Sequence, residues 1–265
     1  MLITKLFSLI IILYCFGYTL SFDSNKTFHS VNHVEKDLGK EFDKNFRRTG
    51  NLISLGAKDI WNNYINALGG TVNIKNLNDK TVIMESKING QKIVIETYQK
   101  APDKMKQILT TSSIMQYIYF DGVKGVILIS GKKINIAGGE LEKLKYDSMI
   151  NFVINIDSLG IKLISDGIEK VNNIDCYKID VILPSGSGII QYFDVNSFLK
   201  VKQIENVTVT HTVFVQETYF SDYREVNGIK YPFMIKEILG SQIMDLSVTS
   251  IKVNTGLSDV LFSIK

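Results

Sequence analysis

The sequence predicts a mainly β protein whose antiparallel strands curl into a barrel or half-barrel. Three observations predict it. Strand-patterned segments follow one another with turn dipeptides between them, among them Asn89-Gly90, Asp121-Gly122 and Asn227-Gly228. No repeat, low-complexity tract or proline-rich linker divides the series, and only 3 prolines are present. One amphipathic helical stretch precedes the strands and one interrupts them. Strands joined by such short turns pair as antiparallel neighbours, and a sheet of this width curls because a flat one is unusual.

Residues 57–68 form the first element. Ile60, Trp61, Tyr64, Ile65 and Leu68 recur at helical spacing, and Gly69-Gly70 ends the helix because glycine adopts the C-cap conformation cheaply. Strands then span 81–88 and 91–99. Pro102 breaks the second, a third begins at Met105, and 116–120 pairs with 123–129 around Asp121-Gly122. From Glu140 to Phe152 the period changes: Leu141, Leu144, Ser148, Met149 and Phe152 share one helical face, and acids cluster in the first turn where the helix dipole favours them. Strand signals resume at 161–164, 168–171, 176–183, 188–194, 199–206 and 210–224, and 243–253 closes the series.

The longest hairpin runs from Glu217 to Glu237, with the positive φ angles of its turn supplied by Asn227-Gly228. Val213, Val215, Tyr219 and Tyr223 share one strand parity; Thr212, Gln216, Thr218, Asp222 and Arg224 share the other. The expectation is an apolar face on the first set and a wetter face on the second.

The N-terminus reads as an export signal. Lys5 precedes the apolar run Leu6 to Leu13, too short to span a bilayer, and Thr19-Leu20-Ser21 places cleavage after Ser21. An uncleaved anchor is one alternative. A lipoprotein acylated at Cys15 is another, although bulky Tyr14 does not suit the acylation signal. Residues 22–51 are charged and sparse in large aliphatics, a flexible lead, and 52–265 is one β domain. Removing residues 1–21 leaves 29 basic residues against 27 acidic ones, which gives no electrostatic reason to expect a nucleic-acid partner. A rival transmembrane barrel is disfavoured by Lys92, Glu96, Lys178, Asp180, Lys200 and Lys202, which leave many strand faces too charged for lipid.

Catalytic constellations are not evident. Cys176 is the single cysteine after cleavage and sits in a strand pattern, where most cysteines are small buried hydrophobes. Ser185-Gly186-Ser187-Gly188 lacks the nucleophile-elbow frame, and His211 as a base for Ser187 has no acidic orienter nearby in sequence. His29 and His33 stand four apart, but nothing else completes a metal site. The expectation is a protein without catalysis, metal or cofactor.

Five motifs occur in order from Ile60 onward: Tyr64-Ile65-Asn66-Ala67-Leu68-Gly69-Gly70, the stretch Tyr98 to Met105, Tyr119-Phe120-Asp121-Gly122 with Gly125, Glu217 to Tyr223, and Val226 to Phe233. Together they resemble exported Bacteroidetes proteins related to the outer-membrane lipoprotein-sorting family. The resemblance implies an incomplete, half-open antiparallel β-barrel whose concave side is covered by α-helices, as in LolA and LolB. It further implies a periplasmic or envelope location and a lipid or lipoprotein acyl chain as partner, with envelope proteins as the other partners such barrels take. Two features depart from the LolA pattern. Ala101, beside Lys100, stands where an arginine precedes the proline and latches the helical lid, and Val126 replaces a tryptophan after the D-G-x-x-G turn.

On that reading the helix from Glu140 to Phe152 is a lid swinging on Gly138-Gly139. Its Leu141, Leu144 and Met149 then face Ile93, Ile95, Tyr117, Tyr119, Tyr192, Tyr219 and Tyr223 on the strands, and these residues are the expected acyl-chain contacts. The alternative on the same fold is a protein-interaction or envelope-stress sensor module with no transported ligand.

Overall fold

A computed structural model of the chain describes residues 55–264 apart from 89, 210 and 211. The expected export signal, Cys15, the lead with His29 and His33, and His211 lie outside the described residues. The chain opens with α1 (Ala57–Leu68) and the short α2 (Gly70–Lys75). Six strands follow: β1 (Asp79–Ile88), β2 (Gln91–Lys100), β3 (Lys104–Thr110), β4 (Met115–Phe120), β5 (Gly125–Ile129) and β6 (Lys132–Ile136). Then come α3 (Gly138–Ser148) and a 3-10 turn (Phe152–Ile154). Seven more strands complete the sheet: β7 (Lys162–Val171), β8 (Ile174–Ile182), β9 (Gly188–Asp194), β10 (Lys200–Val209), β11 (Thr212–Val226), β12 (Ile229–Leu239) and β13 (Gln242–Val253).

All thirteen strands belong to one antiparallel sheet in the order β6-β5-β4-β3-β2-β1-β13-β12-β11-β10-β9-β8-β7. Each half is a meander, and β1 joins the halves by pairing with β13. The two edge strands, β6 and β7, are consecutive in the chain, so residues 137–161 carry it from one edge to the other. α3 shows that the sheet curls. It packs on β4, while its Lys143 pairs with Glu205 on β10 at 2.7 Å. In a flat sheet β4 and β10 would be seven strand spacings apart, about 34 Å, far beyond the reach of one helix. The result is an open, incomplete barrel with helices against its concave side.

The turn chemistry performs as the sequence predicts. Asn227 and Gly228 take φ 50 and 75 between β11 and β12. Asp121 accepts the backbone N–H groups of Val123 and Lys124 at 2.8 and 2.7 Å, closing the β4–β5 turn. Two of the family-like motifs meet in space. Gly69 packs so closely on the β11–β12 turn that a Cβ there would lie 2.0 Å from the Gly228 carbonyl oxygen, and Asn73 donates to that same oxygen at 3.1 Å.

Three expectations need correction, and one strand, β6, lies outside them. β6 carries four exposed residues before Ile136 and lacks a buried alternation, which is why its pattern was not legible. The segments 161–164 and 168–171 are one strand, β7, whose register shifts between Ser165 and Ile168. The lid helix ends at Ser148, not Phe152. Gln99 on β2 donates to the carbonyls of Asp147 and Ser148 at 2.8 and 3.4 Å, the two acceptors that continued helix would offer to Asn151 and Phe152. Finally, the β11 parity is inverted over most of its length. Gln216, Thr218 and Phe220 face in, while Val213 and Val215 are 62% and 47% exposed. Asp222 takes φ 53, and beyond it Tyr223 turns inward.

Candidate functional site

The concave face is the candidate site, and three apolar groups and one polar belt build it. At one end α1 drives Ile60, Trp61, Tyr64, Ile65 and Leu68 against β8, β9, β12 and the 3-10 turn. Trp61 is fully buried, donates through its indole N–H to the Val153 carbonyl at 2.8 Å, and meets Tyr64 and Phe193 edge-on. The middle of the sheet presents Val82, Met84, Ile93, Ile95, Leu109 and Phe220 with residues of β12 and β13. Near the β6 edge, α3 lays Leu144 and half-buried Leu141 on Met105, Ile118, Phe120 and Ile136. Gly125 permits that approach: a Cβ there would stand 2.7 Å from a Leu144 methyl and 3.0 Å from a Leu141 methyl.

Between these groups runs a row of polar side chains on the inner face. Gln191 of β9 lies opposite Gln203 of β10, Gln203 opposite Thr218 of β11, and Thr218 opposite Glu237 of β12. All four are buried. Gln203 accepts from Gln191 at 3.3 Å and from the Lys200 ammonium at 3.0 Å, and donates to Glu205 at 3.2 Å. Glu205 in turn holds Lys143 of α3. Burial works against the Lys143 charge, but Glu205 and Asp147 beside it hold its pKa above the ordinary lysine value. Glu237, 1% exposed, has no hydrogen-bond partner at Oε2 among the described residues. Burial first, then the neighbouring Glu205 carboxylate, push Glu237 up to about 8.

The expected contact residues divide by face. Ile93 and Ile95 are fully buried on the concave side. Leu141 and Leu144 lie on α3 beneath the β6 edge, and Tyr223 bridges the two larger apolar groups, donating to the Lys200 carbonyl at 2.8 Å. Met149 lies beyond the helix end and packs with the α1 group rather than with Leu144. Tyr117, Tyr119, Tyr192 and Tyr219 lie on the opposite, convex face and do not line the concave side. Tyr117 and Tyr119 stack at 6.1 Å with the Lys106 ammonium over both rings, and Lys202 lies over Tyr192 and Tyr219 at 5.9 and 5.0 Å. These aromatics alternate like core residues, but lysine cations and stems cover them instead of a second layer.

The polar belt is the part of the site that sequence reasoning missed. Its signal was present: Gln191 shares a parity with Ile189 and Phe193, and Gln203 and Glu205 share one with Val207, so polar residues occupy positions that the pattern assigns to the core. Gln99 likewise supplies a tie to the helical segment that the missing arginine does not. Lys100 instead reaches the other way, donating to the Leu257 carbonyl at 2.8 Å and pairing with Asp259 at 3.0 Å.

The nucleophile candidates lie away from the concave side. Cys176 is fully buried on the convex side of β8, and burial, with Asp194 adding to it, pushes its thiol up to about 11. Ser187 sits in the exposed β8–β9 turn beside Ser185. An open cleft of about 700 Å³ lies at the β5–β6 edge between the start of α3 and the C-terminal segment, lined by Lys104, Lys124, Lys133 and Leu141 among others.

No family model and no curated protein matches the sequence. Solved structures do match. A DUF1329 family protein from Desulfovibrio piger is similar with a TM-score of 0.53 at 12% identity, over 79% of this chain and 98% of that one. A LolA superfamily protein from Nitrosomonas europaea is similar with a TM-score of 0.52 at 11% identity, over 80% of this chain and 99% of that one. The chain therefore has the fold that the resemblance implied, the incomplete barrel of LolA-superfamily proteins.

Proposed function

We propose that this LolA-like chain is a non-catalytic envelope protein, exported to the periplasm after cleavage near Ser21, that binds a lipid or lipoprotein acyl chain against its concave face when α3 is displaced. The observation that carries the reading is the way α3 is held. Leu141 and Leu144 are its apolar contacts with the β6-side group, Tyr146 alone packs its last turn on the α1 group, Gly138 at φ 60 and Gly139 open it, and the Lys143–Glu205 pair and the Gln99 amide are its polar ties. Lifting such a helix uncovers apolar sheet at modest cost, and an inserted chain regains about 0.8 kcal/mol for each buried methylene.

A chain-length series tests it. Fluorescent fatty acids of increasing length are expected to bind with a Kd that falls about fourfold per added methylene, the equivalent of that increment. Leu144→Glu is expected to weaken uptake while far-UV circular dichroism retains the β signal. Binding that ignores chain length would sink the carrier reading.

A second reading is favoured by the central apolar group. Its inward side chains, Ile93 and Ile95 included, fill the middle of the concave face themselves, and among the described residues β6 and β7 each pair on one side only. An interaction module would use those open edges to receive a strand from another envelope protein.

A further inference from the structure

Lys143 reaches the polar wall of β10–β12 from α3, not from the sheet. Its ammonium lies 2.7 Å from Glu205, and Glu237 stands close enough to act on its charge. Glu237 is 1% exposed and its Oε2 lacks a partner among the described residues, an arrangement that leaves acceptor capacity directed into the interior. If α3 is lifted, Lys143 and Asp147 leave with it. The wall then keeps the Glu205 carboxylate and the Glu237 carboxyl group beside the Lys200 ammonium, which is engaged at 3.0 Å by Gln203 and lies 4.5 Å from the centre of the Phe220 ring. Apolar side chains border this wall on the same inner face, Phe220 and Ile235 one step along β11 and β12 from Thr218 and Glu237.

We propose that Glu205 and Glu237 form the head-group end of the binding surface and that Lys143 fills, in the closed form, the place of a ligand's primary ammonium. The ligand class is a cationic amphiphile: an alkyl tail on the apolar wall and an ammonium head on the two carboxyl groups. The inference rests on the reading of α3 as a displaceable lid. An ammonium carries three donors and suits an ionised Glu205 oxygen together with the unoccupied Glu237 oxygen. A carboxylate head meets like charge there, and a hydroxyl head lacks the charge.

Displacement of a fluorescent alkyl probe by dodecylamine, dodecanol and dodecanoic acid tests the assignment, since the three share a tail and differ in the head. Dodecylamine is expected to displace the probe at about one tenth of the dodecanol concentration, as a buried charge-assisted hydrogen bond provides, with dodecanoic acid the weakest. The double variant Glu205→Gln with Glu237→Gln is expected to erase the amine's advantage and leave dodecanol unchanged; should it not fold, Glu237→Gln alone is expected to reduce the advantage. Lys143→Met removes the built-in occupant and is expected to widen the gap between amine and alcohol. If it improves both ligands equally, Lys143 is only a strut and the assignment is wrong. Equal displacement by amine and alcohol in the unmodified protein overturns the cationic head but leaves the carrier reading standing. Failure of the probe and all three compounds to bind removes the carrier reading and this site with it.

Discussion

α1 and α3 both lie against the inner face of the sheet, yet they are held by different chemistry. α1 buries five large apolar side chains, interlocks two aromatic rings with Phe193, and touches the β11–β12 turn so closely that Gly69 has no room for a methyl group. α3 buries Leu144, Tyr146 and Ser148, and its other ties are the Lys143–Glu205 pair and the Gln99 amide. Apolar burial is lost as soon as the surfaces part, whereas an ion pair and carbonyl hydrogen bonds exchange for water at small net cost. One helix is thus part of the core, and the other is a cover.

The largest expected effect breaks the core side of this comparison. Trp61→Ala deletes a fully buried indole and orphans the Val153 carbonyl. A loss of about 3–5 kcal/mol is expected, read as a lower urea midpoint for the whole molecule.

The second effect sharpens the cover side through pH. Glu237 has an ordinary carboxyl value of 4.5 when unfolded and about 8 in the fold, so the folded protein keeps a proton that the unfolded chain has released. The stability this provides is complete below pH 4.5 and is lost as pH rises through 8. Glu237→Gln is neutral throughout. The unfolding free energies of variant and unmodified protein are expected to diverge in the variant's favour by a few kcal/mol between pH 4.5 and about pH 8.

The third is Gly125→Ala. The new methyl would crowd the Leu144 and Leu141 methyl groups and the Ile136 Cβ, and the leucines give way by changing rotamer or by moving α3 outward. A loss of about 1–3 kcal/mol is expected, with faster amide exchange in α3 and tighter binding of an alkyl probe. Unchanged exchange in α3 would mean that the helix is not the part that yields.

Much of the fold was legible because it is local. Gly69-Gly70, Asp121-Gly122 and Asn227-Gly228 are backbone instructions readable without partners, and the α1 stripe is a single-element period. Parity was less legible because single residues reset it. The φ 53 of Asp222 and the register shift between Lys200 and Lys202 change which side chains face in without altering the composition of the strand. The convex tyrosines misled for a related reason, since alternation reports that a face is covered and not by what. The site itself depends on β10 and α3 meeting across the opening, and Lys143 and Glu205 lie 62 positions apart in the chain. Only the curl brings them together.

The smallest effect tests whether the cover has its own latch. Gln99 lies at the end of β2, and its amide nitrogen donates to two carbonyls at the C-terminus of α3, Asp147 at 2.8 Å and Ser148 at 3.4 Å. Gln99→Ala leaves both acceptors to find other donors. Asn151 and Phe152 are positioned in sequence to supply them by extending the helix, so the loss should be only about 1–2 kcal/mol. The consequence is local: amides of α3 are expected to exchange faster, while those of α1, sealed by Trp61 and Tyr64, keep their protection. Gln99→Glu sharpens the result, because a carboxylate cannot donate to a carbonyl and meets the C-terminal end of the helix dipole with like charge. It is expected to release α3 more than alanine does. Equal acceleration in α1 and α3 would show that the two helices open as one unit, and the distinction between core and cover would fall.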